Sequence, residues 1–155
     1  FDPSATTVNL TSTEESQDLF FAKYDTEGNY LWAKSVSGSG SEFAYSIAVD
    51  ISGNVYLTGA FSGTSDFDPS ASTADLSSAG SSSGAMFIAK YDNNGNYEWA
   101  KSVVASDGNV GYSIALDASG NVYLTGQFSG TADFDPSPGT SNLLSAGGMD
   151  VFFAK

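Results

Sequence analysis

The chain has 155 residues, 41% of them apolar and 14% aromatic, enough for about one ordinary domain with a core. Cysteine and histidine are both absent, which excludes a disulfide framework, thiolate chemistry and a Ser–His–Asp triad. Five lysines against 18 acids leave a net charge of −13, so nucleic acid and anionic membrane surfaces are repelled. No apolar run is long enough to insert a membrane-spanning helix.

In chain order, the first elements are strand-like runs within Leu19–Val36, joined by the turn "DTEGN" at Asp25. Next come "AYSIAVD" (Ala44–Asp50) and "NVYLTGAFS" (Asn54–Ser62), joined by "DISGN" at Asp50. A Ser/Gly-rich connection follows, Ser62–Ala85, carrying "DFDP". After it lie "AMFIAKYD" (Ala85–Asp92) and "NYEWAKSV" (Asn96–Val103), joined by "DNNGN" at Asp92. These runs are rich in β-branched and aromatic residues. In each turn Asp bonds the following backbone and Gly supplies a positive φ, so each pair reads as a hairpin. No segment has a helical period with caps.

The remainder repeats what came before. "YSIAVDISGNVYLTGAFSGTSDFDPS" (Tyr45–Ser70) returns as "YSIALDASGNVYLTGQFSGTADFDPS" (Tyr112–Ser137), with 22 of 26 positions identical. "KYDTEGNYLWAKSV" (Lys23–Val36) returns as "KYDNNGNYEWAKSV" (Lys90–Val103), and a third copy begins at Phe134 with "VFFAK" matching "MFIAK". Four strands repeated at a period of 66–67 residues are expected to be the four-stranded antiparallel blade of a β-propeller, strands A to D running from the innermost to the outermost. The division is then a partial blade over 1–43 (strands C and D), a complete blade over 44–110, and a partial blade over 111–155 (strands A, B and C). The Ser/Gly-rich connection is expected outside or at one end of its blade.

The succession of "YSIAVDISGNVYLTG" and "FIAKYDNNGNYEWAKS" resembles the bacterial SBBP-type β-propeller repeat, in the variant carrying "DFDP" after the second strand. The resemblance covers nearly the whole chain. It implies a propeller within large secreted or cell-surface bacterial proteins, mostly without assigned chemistry. The family strings many repeats together, whereas this chain has two and a fraction, and it opens within a repeat and without Met. A processed product or a piece of something longer is therefore expected. Two blades cannot close a ring, and open blades expose apolar faces and unpaired edges. The expected partners are copies of the chain or further repeats of a longer one. Three or four chains sharing blades would make a six- or eight-bladed ring once the surplus third strand is displaced, and a contact that does not close would make a filament.

Two carboxylates two residues apart on extended chain share a face, and hard oxygen donors of that kind suit Ca²⁺. Asp66 with Asp68, and Asp133 with Asp135, are the candidate ligands. The alternative is a turn in which the same oxygens cap the hairpin, with Phe67 and Phe134 facing the core and Pro69 and Pro136 ending the strand. The "DxxGN" turns lack the ligand spacing of an EF-hand loop and read as plain turns. Lys23, Lys34, Lys90, Lys101 and Lys155 recur with the blade and are expected to pair with turn aspartates. Trp32, Trp99, Tyr30 and Tyr97 read as packing between blades, with sugar stacking as the other option. The reading is a non-enzymatic structural and interaction module, secreted or on a bacterial cell surface. A calcium-dependent glycan- or protein-binding propeller and a fragment of a larger propeller enzyme are the alternatives.

Overall fold

The computed structural model describes residues 1–4, 7–12, 16–79, 81 and 83–155. Among them there is no helix, and thirteen strands account for the regular structure. In chain order they are β1 (Leu19–Tyr24), β2 (Tyr30–Gly38), β3 (Glu42–Val49), β4 (Val55–Phe61), β5 (Thr64–Asp66), β6 (Asp75–Ser77), β7 (Ala85–Tyr91), β8 (Tyr97–Val103), β9 (Gly108–Leu116), β10 (Val122–Ser129), β11 (Thr131–Asp133), β12 (Asn142–Leu144) and β13 (Asp150–Ala154). All pairings are antiparallel. The central sheet runs β3-β4-β7-β8, the four strands of one blade in sequence order. Before it lies the hairpin β1-β2, and after it the sheet β9-β10-β13.

The turns carry the expected chemistry and add a part for the final Asn. In "DISGN" the Asp50 carboxylate accepts the Ser52 and Asn54 amides at 2.8 and 2.9 Å, and the Asn54 side-chain NH₂ donates to its second oxygen at 2.8 Å. Asp25, Asp92 and Asp117 do the same with Asn29, Asn96 and Asn121. Gly28, Gly53, Gly95 and Gly120 sit at φ between 76° and 85°, a region costly for any residue with a Cβ.

Alternation along β4 and β7 divides the core between two joints. Val55, Leu57 and Phe61 with Phe87, Ala89 and Tyr91 pack against Leu19, Phe21 and Val36 of the leading hairpin. Tyr56 and Met86, on the other face, pack with Val103 against Ile114, Leu124, Phe128 and Phe152. β4 and β7 of the central sheet are thus buried on both faces, which explains their nearly continuous apolar runs.

The connection between second and third strands does not stay with its own sheet. β5 and β6 form a hairpin that pairs with the end of β2, Ser37 opposite Asp66 and Gly38 opposite Ser65. Each connection therefore reaches back to the outer strand of the preceding repeat. The hairpin β11-β12 repeats the manoeuvre, bridging from Ala132 to Ala105 just beyond β8. Ser39 and Ser106 fasten the two contacts, each amide donating to the carbonyl of Thr64 or Thr131 at 2.9 and 3.0 Å.

Candidate functional site

The "DFDP" segment is the most elaborated loop. Asp66 closes β5, and its Oδ1 accepts the amides of Asp68 at 3.0 Å and Ala74 at 2.8 Å. Asp68 Oδ1 accepts the Ser70 amide at 2.9 Å. Asp133 likewise takes the amides of Asp135 and Ser141 at 3.1 and 2.7 Å, and Asp135 that of Ser137 at 2.9 Å. The Ser137 hydroxyl and amide hold the Asp135 carboxyl below its ordinary value. Amide donors on these oxygens make a clasp that folds the loop onto the hairpin. Among the described residues no three acidic side chains converge as a cation cage.

The clasp has a second half. Phe67 between the two aspartates is fully buried, 4.9 Å from the Phe87 ring and 5.6 Å from Phe61. Its carbonyl accepts the Tyr91 hydroxyl at 3.0 Å, and burial pushes that phenol up. Phe1 stands in the same relation to the first hairpin: its ring lies 4.7 Å from Phe20 and its carbonyl accepts the Tyr24 hydroxyl at 2.9 Å. Phe134 packs 4.7 Å from Phe152. Phe67 and Phe134 thus lock onto the third strand of their own repeat, while the hairpins beside them, β5-β6 and β11-β12, reach the outer end of the previous one.

The lysines depart from expectation. The one contact ion pair among the described residues joins Lys90 to Glu98 at 2.7 Å, with Lys90 also 5.4 Å over the Tyr56 ring. Lys23 donates to the side-chain and backbone oxygens of Asn93, a turn residue of the next repeat, and Trp32 Nε1 donates to the same carbonyl at 3.2 Å. Each turn aspartate is held by its own Asn and amides and, among the described residues, forms no contact ion pair, while the charges of Lys90 and Lys34 act on Asp50 and Asp92 at longer range. Trp32 and Tyr97 pack on the first core cluster and Trp99 on the second.

One feature escaped the sequence reading. β3 and β9, the inner strands, each carry a β-bulge against their neighbours, so that Tyr45 and Tyr112 have no paired residue. A bulge re-aims a side chain out of the pleat. Both rings are exposed, 5.7 Å apart, and Phe43 stacks 6.2 Å from Tyr45. Their recurrence at one repeat position was visible, but a bulge leaves no mark in a run that alternates as "FAYSIAV" does.

As expected of open blades, the outer faces contrast with the inner joints. Phe87 is 0% exposed in the joint, whereas Phe20, its equivalent on the leading hairpin, is 57% exposed. Ile114 is 6% exposed and its equivalent Ile47 is 54%. Met86 is fully buried, while Val151 and Phe153 on the last sheet are 72% and 91% exposed. At the leading end Phe1 packs on Phe20 but leaves it largely exposed, and the last sheet shows the opposite side of a joint open.

A four-stranded antiparallel sheet, packed face to face between a hairpin and a three-stranded sheet of the same repeat, is the arrangement of β-propeller blades. In agreement, residues 32–60 match the family model described as the SBBP beta-propeller repeat. The chain is 29% identical over 150 residues to an uncharacterized WD repeat-containing protein of Acanthamoeba polyphaga mimivirus, covering 92% of this chain and 11% of that one. It is 27% identical over 149 residues to the regulatory protein FlaEY of Caulobacter vibrioides, covering 94% of this chain and 15% of that one. The chain thus spans a small part of the length of either relative. The repeats, the stacked sheets and these likenesses together describe a β-propeller repeat module.

Proposed function

We propose that the chain is a non-enzymatic run of propeller blades whose two open faces receive further blades of the same kind, from additional repeats or from other copies. The observation that carries this reading is the exposure, at Phe20, Ile47, Val151 and Phe153, of positions that the inner joints bury. Exposed apolar patches of this sort mark interaction surfaces. The faces are unlike one another, so association is head to tail, giving a ring if it closes and a filament if it does not. No nucleophile–base pair accompanies the surface: His and Cys are absent and the motif carboxylates are occupied with amides. A secreted or cell-surface setting is part of the proposal and rests on the SBBP likeness alone. Light scattering across a concentration series tests the association. A discrete multiple of 16.0 kDa, or growth with concentration, is expected, and Val151→Asp with Phe153→Asp reduces it. A monodisperse 16.0 kDa particle at every concentration overturns it.

A second reading is favoured by the bulged tyrosines. Tyr45, Tyr112 and Phe43 form an exposed aromatic row on the inner edge, suited to stacking the apolar faces of a neutral oligosaccharide. The charge of −13 disfavours anionic glycans. Titration with cello-, malto- and chito-oligosaccharides, read by calorimetry, is expected to give saturable binding that Tyr45→Ala with Tyr112→Ala removes. Absence of saturable heat with all three removes this reading and leaves the first intact.

A further inference from the structure

The two joints differ at a buried polar position on the first inner strand of each. In the second joint that position is Asn109, which bridges two strands of the central sheet: its Oδ1 accepts the Met86 amide at 2.9 Å and its Nδ2 donates to the Val103 carbonyl at 3.0 Å. In the first joint the equivalent residue is Glu42, 2% exposed. The equivalents of Met86 and Val103 are Leu19 and Val36, which face each other across β1 and β2. Glu42 Oε1 accepts the Ser65 hydroxyl at 2.6 Å, where the second joint has Ala132. Its Oε2 is buried with no hydrogen-bond partner.

An ionised carboxylate offers only acceptors, and a buried one needs a cation or several donors. Glu42 has one donor. Asp18, on the segment before β1, is the charged group acting on it, and it repels. Around it, β2 ends in Ser37 and Gly38, β4 presents Phe61 opposite, and β5 supplies Ser65. The next residue of β5, Asp66, is held by the Asp68 and Ala74 amides. No described lysine forms an ion pair there. A protonated carboxyl, by contrast, has one O–H donor beside its acceptors, so it can both donate and accept as the side-chain amide of Asn109 does.

We propose that Glu42 is a proton-operated lock of the joint between the leading hairpin and the central sheet: uncharged, it stands in for an amide and holds the joint closed, and ionised, it loosens the grip of the β5-β6 hairpin on β2. Burial, with a smaller push from Asp18 and opposed by the Ser65 hydroxyl, raises its pKa to about 7. Because the folded value lies above the ordinary 4.5, the stabilisation is complete below about pH 4.5 and is lost as pH rises through about 7. The chain has no His and no Cys, so no other type of side chain ordinarily titrates between about pH 5 and 7.5.

The test is thermal unfolding of the full chain and of Glu42→Gln between pH 5.0 and 7.5, at a concentration where scattering shows constant particle mass. The wild type is expected to lose roughly 5 °C over this range and the Gln variant to stay level. Parallel curves, or a wild type that does not fall, overturn the proposal. Infrared spectroscopy of the wild type needs no variant. A protonated-carboxyl band persisting at pH 6 and disappearing by pH 8.5 is expected, and its absence at pH 6 overturns the proposal. Hydrogen exchange locates the effect: corrected for intrinsic rates, β5-β6 opens more readily with rising pH while β11-β12 does not, and equal change in both contradicts a lock at Glu42.

Discussion

Replacing Phe67 by Ala measures how far the "DFDP" motif is a packing device. The ring is fully buried between Phe61 and Phe87, and truncating it removes the transfer energy of a whole aromatic side chain and leaves a cavity. Such changes cost about 3–5 kcal/mol. The backbone bonds of the clasp, Phe67 amide to Ala74 and Tyr91 hydroxyl to the Phe67 carbonyl, do not involve the ring and survive the substitution. The loss is therefore a packing loss. Phe134→Ala is the internal control: the motif is the same, but the ring is only partly buried against Phe128 and Phe152, so about half the cost is expected. Urea unfolding followed by Trp32 and Trp99 fluorescence reports both, and the melting temperature of Phe67→Ala falls by roughly 6–20 °C. A Phe67→Ala cost under about 1 kcal/mol, or one no larger than that of Phe134→Ala, refutes the argument that this motif is anchored by its phenylalanine.

The aspartates of the same motif predict a null result with calcium. Because Asp66 and Asp133 already accept two amides each, adding millimolar Ca²⁺ or a chelator leaves the melting temperature unchanged, and a rise of several degrees with Ca²⁺ reassigns Asp66, Asp68, Asp133 and Asp135 to a cation. Gly59→Ala and Gly126→Ala place a methyl within 1.8 Å of the Phe43 carbonyl and 1.9 Å of the Val110 carbonyl, both backbone atoms beside the bulges. Each is expected to cost about 3 kcal/mol or more in chemical denaturation, and a neutral variant shows that the bulge is not fixed as described. For Glu42, a rise from 4.5 to about 7 corresponds to stability on the order of 3 kcal/mol, present in acid and gone in mild alkali. Urea midpoints at pH 5.0 and 7.5 check it, and a midpoint that rises with pH has the wrong sign for a buried acid.

The blade was legible because it is written in short-range signals. Strand periodicity and the Asp–Gly turns depend on neighbours in sequence, and repetition supplied the rest: a sheet that recurs with both faces apolar has to bury each face against another like it. What was not legible depends on which sheet a segment joins. The Ser/Gly-rich connection carries no sign that Thr64–Asp66 pairs backward with β2 rather than with its own sheet. The pairing turns on Gly38, where a Cβ would meet the Thr64 carbonyl at 2.3 Å, and a glycine at a strand end reads as a turn when only the sequence is in view. The lysines failed for a similar reason. Asn29, Asn54, Asn96 and Asn121 satisfy the turn aspartates locally, and a local donor is held in place without the side-chain entropy that a distant lysine must lose. Nothing in the sequence sets Glu42 apart among the 18 acids, and its burial at the position that Asn109 holds in the next repeat shows it to be an interior group.

The backward reach of each hairpin changes what a repeat is. If every connection stayed with its own sheet, a blade would be a unit and joints would be contacts between units. Here Phe67 is fixed to the third strand of its own sheet while Ser65 and Asp66, two residues and one residue earlier, are fixed to the fourth strand of the sheet before. A joint cannot open without releasing the hairpin, and the hairpin cannot be released without loading the clasp that seats Phe67. Stability in such a chain belongs to neighbouring pairs of repeats, in the manner of a one-dimensional array. A control group is then most effective at the crossing point, where one side chain touches both members of a pair. Glu42 on β3 bonded to Ser65 on β5, beside the edge of β2, occupies that point. Its equivalent in the next joint carries an amide that does not titrate, so a change of proton concentration acts on one joint and leaves the other closed.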